Sequence, residues 1–346
     1  MIATEMVLPY AGAAVRLEKH QRVLPAPARG QVIVRVEATG VSFAEQQMRR
    51  GRYYDQPAFP FVPGYDFIGK VVAVGEGVDL NVGQRVAALT KTGAWSDHLA
   101  VDAADLTVVA DPVDPAEAEA VLLNGVTAWR LLHMVGTPAA GRTVVIHGAN
   151  GGVGSLLVQL AQRAGFRVIG TASARNTEAV RSLGAVPLDR HQDVLAGVRA
   201  LAPDGVAAVF DHVAGPALRS SWSMLAPGGV LVVYGVAAYR DARGGDPKAP
   251  VREAAALMQD LQSGDASGRR ALFFNIWAGR DKNPSGFRAA LRADLNTLLH
   301  MLAQGEIRAV IAHTFPLDEA FEALNLAESG RVAGKVVLLP HPAGNA

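Results

Sequence analysis

A glycine-rich segment in the middle of the chain has residues whose types and spacing suit phosphate binding. In Thr143–Gly154 (TVVIHGANGGVG) an apolar run ends at His147, and a helical pattern begins among the glycines. The last six residues, ANGGVG, fit the dinucleotide pattern G-x-G-x-x-G with alanine in the first position. In that pattern Gly151 lets the backbone approach a pyrophosphate, Gly154 lets the helix pack closely, and the helix N-terminus offers N–H groups to the anion. An ordinary tight turn is the alternative, but a strand predicted at Arg167–Thr171 follows where a dinucleotide fold needs one.

The residues after that second strand bear on which dinucleotide would bind. An NAD site places an acidic side chain there for the ribose 2′-hydroxyl, whereas this chain reads Ile169–Asn176 (IGTASARN) without a carboxylate. Ser173 can donate a hydrogen bond, and Arg175 can pair with a 2′-phosphate. Arg190, after the next short strand, can close over the same group. Both arginines could equally be solvated surface side chains, but the missing acid favours NADPH.

Two patterns of periodicity surround this segment. Before Asp114, short strands and one helix alternate with glycine turns, which is typical of an irregular, barrel-like β domain. The strands predicted there are Gln31–Thr39, Asp66–Val74, Gln84–Leu89 and His98–Val101, and the helix is Phe43–Arg50. After Asp114, apolar strands interleave with helices, which predicts a parallel sheet covered on both faces.

The strands of the second pattern are Thr143–His147, Arg167–Thr171, Val206–Phe210 and Val230–Tyr234. Its helices are Pro115–Met134, Val153–Ala164, Thr177–Leu183 and Pro216–Leu225. Two more helices, Phe287–Ala303 and Leu317–Leu326, and a terminal strand, Gly334–Leu339, are predicted after it. The Gly-, Arg- and Asp-rich segment Ala238–Pro250 is predicted to be a mobile loop.

Composition excludes several classes of protein. With 346 residues, 50% of them hydrophobic and 19% charged, the chain has the length of about two globular domains. A net charge of +1 gives no argument for nucleic acid or an anionic membrane. The absence of cysteine excludes disulfides, thiolate metal sites and cysteine nucleophiles, and is compatible with a reducing cytosol. The chain shows neither a secretory leader nor a membrane-spanning stretch, so we expect a cytoplasmic protein that binds neither membrane nor nucleic acid.

A series of short motifs covers nearly the whole chain in order. They are Val41–Glu45 (VSFAE), Arg50–Tyr53 (RGRY), Pro63–Gly69 (PGYDFIG), Val74–Val78 (VGEGV), Gly83–Val86 (GQRV), Asn124–Ala128 (NGVTA), the HGANGGVG segment, Leu225–Gly229 (LAPGG) and Gly334–Val337 (GKVV). On these motifs the chain resembles the medium-chain dehydrogenases/reductases, and within them the zinc-free quinone oxidoreductase (zeta-crystallin-like) group. VSFAE, the turn at Trp95 and GTAS further resemble the branch of the synaptic-vesicle amine-transport protein homologues.

The resemblance implies an α/β architecture of two domains. An irregular GroES-like β-barrel catalytic domain would comprise 1–122 and 279–346, and a Rossmann domain with a doubly wound parallel sheet would be inserted as 123–278, with the active site in the cleft. Zinc-dependent relatives have a cysteine where Ser42 stands and a histidine where Tyr65 stands, so the resemblance implies no metal site. His147, His98 and His133 have no partner at metal-ligand spacing and are better read as packed or solvent-facing.

The resemblance also implies site residues. Tyr53 and Ser42 would lie near nicotinamide and substrate, where hydrogen-bond donors must stabilise a carbonyl oxygen that gains charge. Tyr53 could instead be a tyrosine packed at a turn, and its neighbour Tyr54 leaves the assignment open by one residue. The residues expected to bind the cofactor are Thr127, Asn150, Gly151, Gly152, Val153, Gly154, Ser173, Arg175, Arg190, Val213, Gly235 and Val236.

Some of these positions depart from the family pattern or admit another role. The basic residue of the family aligns with Asn176, one position after Arg175, and Arg190 stands in place of a tyrosine. The Thr127 hydroxyl could equally bond to its own helix backbone.

The hypothesis that follows is a zinc-independent, NADPH-dependent reductase that transfers a hydride to a quinone or an α,β-unsaturated carbonyl. One alternative is an enoyl-thioester or pathway-specific tailoring reductase, with Ala238–Pro250 and Leu272–Trp277 shaping a larger pocket. Another is a non-catalytic NADPH-binding protein with a structural or partner-binding role. Leu272–Trp277 is predicted to be an edge strand, and because a long apolar edge needs covering, we expect a homodimer.

Overall fold

The computed structural model describes residues 1–109, 113–136, 141–240 and 245–341. The chain divides into two units, one formed by Met1–Val126 with Gly279–Ala346 and the other by Thr127–Ala278. We call them unit 1 and unit 2. The assignment of 1–122 with 279–346 as a catalytic domain and of 123–278 as a cofactor domain stays a prediction.

The described residues form fifteen strands and nine α-helices. The strands are β1 Ile2–Val7, β2 Glu18–Val23, β3 Gln31–Val41, β4 Asp66–Val74, β5 Arg85–Leu89, β6 His98–Asp102, β7 Thr107–Val108, β8 Thr143–Ile146, β9 Arg167–Ala172, β10 Val186–Asp189, β11 Val206–Asp211, β12 Leu225–Val233, β13 Arg270–Phe273, β14 Ile311–Pro316 and β15 Lys335–Leu339. The helices are α1 Phe43–Arg49, α2 Pro115–Met134, α3 Gly152–Arg163, α4 Thr177–Ser182, α5 Val194–Leu201, α6 Ala217–Ser223, α7 Ala249–Ser263, α8 Pro284–Ala303 and α9 Ala320–Glu328.

Unit 1 is built on a seven-stranded sheet in the order β14-β15-β3-β4-β5-β7, with β6 also pairing β3. The long strand β3 is central because its valines Val32, Val34 and Val36 are fully buried and pack with residues of β4, β5 and β6. The C-terminal strand β15 runs antiparallel to β3 and places Val337 opposite Gly40. Residues distant in sequence therefore meet beside the end of β3, where α1 begins.

Unit 2 contains a six-stranded sheet in the order β10-β9-β8-β11-β12-β13. All its pairings are parallel, which confirms the predicted parallel sheet. Beginning at the central strand β8, the chain adds β9 and β10 on one side and β11, β12 and β13 on the other. This reversal of strand order is the position at which doubly wound sheets bind ligands.

Several elements depart from the sequence predictions. The exposed strand β2 (EKHQRV) has no apolar alternation, and it pairs with β1 in a separate two-stranded sheet. The segment Ala238–Pro250, predicted to be a mobile loop, includes part of the 3-10 turn Ala237–Tyr239 and the start of α7; its residues 241–244 lie outside the described part of the chain. The predicted edge strand Leu272–Trp277 does lie at the edge of the sheet, but as Arg270–Phe273.

Candidate functional site

The glycine loop of unit 2, residues 147–151, joins the central strand β8 to helix α3. Gly151 is the N-cap residue of α3, and its N–H bonds to the carbonyl oxygen of Gly148 at 2.9 Å. No side chain caps this helix. The first-turn N–H groups of Gly152, Val153 and Gly154 therefore lack the side-chain acceptor that most helix starts possess, and with the helix dipole they suit an anion.

Two glycines, one in this loop and one in the first turn of α3, are required by close contacts. A Cβ on Gly154 would lie 2.2 Å from the carbonyl oxygen of Gly148, so any side chain there would push the loop away from the helix. Gly148 has a φ of +65°, and a Cβ on it would lie 2.5 Å from Cε1 of His212. Asn150, also in the loop, is half-buried. The close packing predicted for Gly154 is thus against the loop backbone itself.

A chain of hydrogen bonds beneath the loop has a defined direction. Asp211 Oδ2 accepts from the hydroxyl of Ser221 at 2.7 Å, so Ser221 Oγ accepts from Nε2–H of His147 at 3.1 Å. His147 Nδ1 is then unprotonated and accepts from the hydroxyl of Thr171 at 3.1 Å, and Thr171 Oγ1 accepts the N–H of Gly148 at 3.2 Å. We call these five residues the polar chain. It connects the ends of β8, β9, β11 and α6.

The protonation states of His147 and Asp211 agree with this direction of hydrogen bonding. Burial lowers the pKa of His147, although Asp211 opposes the shift, so the imidazole is neutral at physiological pH. Burial alone would raise the pKa of Asp211, but His147, the N–H of Ala214 and the hydroxyl of Ser221 outweigh it, and the pKa lies below its ordinary value. Asp211 is therefore an ionised acceptor. His147 is a packed histidine that fixes the loop.

The end of β9 places the residues predicted to select NADPH. Ser173 is buried and follows the strand directly, whereas Arg175 is exposed in the 3-10 turn Ala174–Asn176. Arg190 is also exposed, and its backbone N–H bonds to the carbonyl oxygen of Ala172 at 2.8 Å. This bond fixes Arg190 at the same end of the sheet as Ser173 and Arg175.

The ends of β11 and β12 hold three further predicted residues. The N–H of Val213 bonds to Asp211 at 2.7 Å and its carbonyl oxygen accepts from Ala238 at 2.8 Å. A Cβ on Gly235 would lie 2.8 Å from the carbonyl oxygen of His212, so the chain at Gly235 passes close to the backbone of His212. Val236 is the next residue. Thr127, the twelfth candidate, is buried in α2. The backbone N–H and carbonyl oxygen of Val213, which are predicted to contact the cofactor, are thus both hydrogen-bonded within the protein.

In unit 1, Ser42 is the N-cap residue of α1 and shares a capping box with Glu45. Glu45 Oε2 accepts the N–H of Ser42 at 2.8 Å and also its hydroxyl, while Ser42 Oγ accepts the N–H of Ala44 at 3.0 Å. Glu45 Oε1 accepts the N–H of Tyr65 at 2.8 Å. Glu45 therefore fixes both Ser42 and Tyr65, and it directs the Ser42 hydroxyl proton to its own carboxylate.

Tyr53 and Tyr65 form a buried pair of phenols. Their hydroxyl oxygens are 2.8 Å apart and their rings meet edge to face, with centroids 6.4 Å apart. Tyr54 also contacts Tyr53, with ring centroids 4.7 Å apart, and is a second hydrogen-bond partner of its side chain. Burial, reinforced by both neighbouring tyrosines, raises the pKa of Tyr53, so it keeps its proton. The Tyr53 hydroxyl therefore stays a potential hydrogen-bond donor.

Charged side chains are buried around Asp66, the neighbour of Tyr65 in sequence. Lys335 Nζ lies 3.3 Å from Oε1 of Glu119 and 3.8 Å from Oδ1 of Asp66, and all three are buried. Burial would lower the pKa of Lys335, but the carboxyls of Asp66, Glu119 and Glu45 outweigh it and raise the pKa. Burial raises the pKa of Glu119 and Glu45, partly offset by Lys335. We call these four residues the buried charge cluster.

Sequence reasoning missed most of the residues in these arrangements, among them Glu45, Glu119 and His212. Glu45 carried a signal, since Ser42-x-x-Glu45 is a capping-box pattern. Glu119 and His212 carried none, because their partners are distant in sequence. Within the described ranges, no group of three or more His, Cys, Asp or Glu side chains could hold a metal ion, and no helix is long and apolar enough to cross a membrane.

Comparisons with known proteins agree with this architecture. Residues 28–111 match the model of the alcohol dehydrogenase GroES-like domain, and residues 183–338 match the model of the zinc-binding dehydrogenase family. The human synaptic vesicle membrane protein VAT-1 homolog is 32% identical over 339 residues, which cover 95% of this chain and 84% of that protein. The chain belongs to the medium-chain dehydrogenase/reductase superfamily.

Two further relatives bear on which group of the superfamily the chain belongs to. A probable quinone oxidoreductase of Schizosaccharomyces pombe is 29% identical over 333 residues, 95% of this chain and 94% of that protein. The structure of a mycobacterial protein complexed with NADPH superposes with a TM-score of 0.82 at 28% identity, covering 98% of this chain and all of the other. The predicted membership of the zinc-free quinone oxidoreductase group is confirmed, and the chain is an oxidoreductase of this type.

The zinc ligands of other medium-chain dehydrogenases do not fit the side chains of unit 1. Ser42 and Tyr65 stand at the positions where the zinc-dependent relatives have cysteine and histidine. Here the Ser42 hydroxyl bonds to Glu45, and the Tyr65 hydroxyl bonds to Tyr53. Neither supplies the thiolate or imidazole that zinc prefers.

Proposed function

We propose that this protein is a zinc-independent, NADPH-dependent reductase acting on quinones or α,β-unsaturated carbonyl compounds. The observation that carries the proposal is the uncapped start of α3 after the glycine loop, at the reversal of strand order in a parallel sheet. The NADPH complex of the mycobacterial relative at 28% identity supports the choice of cofactor. The names of the quinone oxidoreductase relatives support the substrate class.

For each chemical group of the cofactor, the chain has residues that suit it. The pyrophosphate would meet the N–H groups of residues 151–154 and the side chain of Asn150. The 2′-phosphate would meet Ser173, Arg175 and Arg190, whose backbones lie at one end of the sheet. Val213, Gly235, Val236 and Thr127 are proposed for the rest of the nucleotide. When bound, the reduced nicotinamide supplies a hydride.

Tyr53 is the proposed donor to the substrate oxygen. Its hydroxyl pairs with Tyr65, and its raised pKa keeps it protonated, so it can donate a hydrogen bond to an oxygen that gains negative charge. Ser42 is the second proposed residue, but its hydroxyl proton is directed to Glu45. We therefore assign Ser42 the role of holding the start of α1 and shaping the site. The final proton on carbon would come from solvent.

The test is oxidation of NADPH by the purified protein with a panel of quinones, enones and acyl-thioester enones. We expect turnover with quinones or simple enones, and a fall in kcat of about 10²-fold or less in Tyr53→Phe. Tyr10→Phe, on a side chain that is 63% exposed, is the matched control and should retain wild-type kcat. Turnover confined to thioesters would favour a tailoring reductase, and saturable NADPH binding with no turnover at all would favour a non-catalytic role.

The preference for NADPH over NADH is testable separately. Arg175→Ala and Arg190→Ala should each weaken NADPH binding while leaving NADH binding unchanged, because only NADPH carries the 2′-phosphate. Isothermal titration of both nucleotides measures the two dissociation constants. Equal losses for NADPH and NADH would remove the arginines from the phosphate site.

We also propose a homodimer formed through β13. This strand is the edge of its sheet, and Phe273 on it is 37% exposed. An isologous pairing of two such edges would satisfy the unpaired backbone groups and cover the apolar side chain. Light scattering at micromolar concentration should give twice the chain mass, and a monomeric mass would refute the proposal.

A further inference from the structure

His212, the residue after β11, is packed between two glycines at the candidate cofactor site. A Cβ on Gly148 would lie 2.5 Å from Cε1 of His212, 3.1 Å from Nε2 and 3.2 Å from Nδ1, so this edge of the ring faces the glycine loop. On its other side, a Cβ on Gly235 would lie 3.2 Å from Cβ of His212. Both glycines leave room for this histidine.

The ring of His212 has one nitrogen that is bonded and one that is not. It donates a hydrogen bond to the backbone of His147, whereas Nδ1 is buried and has no partner among the described residues. The donor is therefore Nε2, and Nδ1 is a bare acceptor. Burial lowers the pKa of His212 to about 4, so the ring is neutral near pH 7. A buried acceptor without a donor is unfavourable, and it points to a ligand that supplies one.

The sheet order indicates which part of a dinucleotide could supply the donor. Ser173 and Arg175, proposed for the 2′-phosphate, follow β9, whereas His212 follows β11 on the opposite side of β8. His212 thus belongs with the half of the cofactor that is remote from adenosine. The pyrophosphate is excluded as the partner because its ionised oxygens only accept hydrogen bonds. The nicotinamide half carries donors of two kinds, the ribose hydroxyls and the carboxamide N–H groups.

We propose that Nδ1 of His212 accepts a hydrogen bond from the nicotinamide half of the bound cofactor and that His212 positions this half. The proposal rests on the proposed function, since it requires NADPH at the glycine loop. The chemistry that would be recognised is an O–H or N–H donor on the ribose or the carboxamide.

Two substitutions separate the two ring nitrogens. His212→Asn keeps a polar atom in place of Nδ1 and loses Nε2, whereas His212→Gln keeps one in place of Nε2 and loses Nδ1. We expect His212→Gln to bind NADPH about 3- to 10-fold more weakly than wild type, and His212→Asn to stay within about 2-fold. Adenosine 2′,5′-bisphosphate, which lacks the nicotinamide half, should bind all three proteins equally.

The opposite order, with His212→Gln tight and His212→Asn weak, would show that the ring only supports the backbone of His147 and would overturn the proposal. Equal affinities of all three proteins for NADPH would overturn it too, as would a matching loss of bisphosphate affinity. If wild type binds the bisphosphate but not NADPH, the inference is likewise wrong. If it binds neither, the proposed function itself fails.

A measurement on the wild type makes the test independent of variant folding. In protein labelled with 15N-histidine, the Nδ1 resonance of His212 should shift when NADPH is added and stay in place with the bisphosphate. No shift with saturating NADPH would overturn the proposal. The reduced 3-acetylpyridine analogue, which lacks the carboxamide N–H groups, then identifies the donor: a retained shift assigns the ribose hydroxyls, and a lost shift assigns the carboxamide.

Discussion

The two units bury polar groups in different ways. In unit 2 the polar chain from Gly148 to Asp211 matches each donor with an acceptor, and the single carboxylate at its end is ionised and fully bonded. In unit 1 the buried charge cluster sets three carboxyls against one ammonium, and Asp66 Oδ1, both oxygens of Glu119 and Lys335 Nζ have no hydrogen bond within the described residues. The residues below the glycine loop are thus held by directed hydrogen bonds, whereas the buried charge cluster is held by the attraction between the Lys335 ammonium and the carboxyls around it.

The strongest test of this contrast removes the only cation of the cluster. Lys335→Met should lower the free energy of unfolding by about 3–5 kcal/mol, because it leaves buried carboxylates uncompensated. Chemical denaturation measures the loss, and Lys70→Met is the control, since Lys70 is partly exposed and lies 3.9 Å from Glu37. Adding Glu119→Gln should recover part of the loss. A loss no larger than that of Lys70→Met would mean that the Lys335 ammonium does not stabilise unit 1.

The polar chain is broken most cleanly at Ser221. Ser221→Ala leaves both Asp211 Oδ2 and Nε2–H of His147 without a partner, so the free energy of unfolding should fall by about 2–3 kcal/mol. Ser223→Ala is the matched control, because Ser223 lies on the same helix and its exposed hydroxyl bonds only to the backbone of Arg219. Urea unfolding of both variants checks the prediction. Equal stability of the two would mean that the polar chain contributes nothing beyond packing.

The buried titratable groups of the two units should change the free energy of unfolding in opposite directions as the pH falls. The pKa of His212 is lowered from 6.5 to about 4 in the fold, so the unfolded chain takes up a proton first as the pH falls. Stability should therefore drop by about 2 kcal/mol between pH 7 and pH 5 from this residue alone. The raised pKa values of Glu45 and Glu119 act in the opposite direction, since the folded state then binds more protons as the pH falls. Comparing wild type with His212→Asn by denaturation at both pH values isolates the histidine, and parallel curves would contradict its burial as a neutral base.

The smallest expected effect concerns the tyrosine pair. Tyr65→Phe removes the hydroxyl that orients Tyr53 but not the donor itself, so kcat should fall by about 3- to 10-fold with the KM for NADPH unchanged. Steady-state kinetics with a quinone measures both constants. A fall as large as that in Tyr53→Phe would make Tyr65 a donor in its own right.

Local patterns predicted the elements that bury an apolar face. The strand Asp66–Val74 and the helix Pro115–Met134 have the bounds that apolar spacing and an acidic first turn indicated. The strand β2 could not be predicted, because all its residues are exposed and only pairing with β1 makes it a strand. The same holds for the site: the glycine loop is a contiguous motif, whereas the contacts of His147 with Thr171 and Ser221 join residues 24 and 74 positions away.

His147 donates a hydrogen bond through Nε2 and accepts one through Nδ1, so the NMR resonances of its ring can report on the glycine loop. A ring held at both nitrogens keeps a single tautomer, so its Nε2 proton should exchange slowly with solvent and give a resolved resonance of its own. Because Thr171 links that ring to the N–H of Gly148, any displacement of the loop would change the magnetic environment of the imidazole. Occupancy of the proposed nucleotide site could thus be followed by NMR, without a label on the ligand and without turnover.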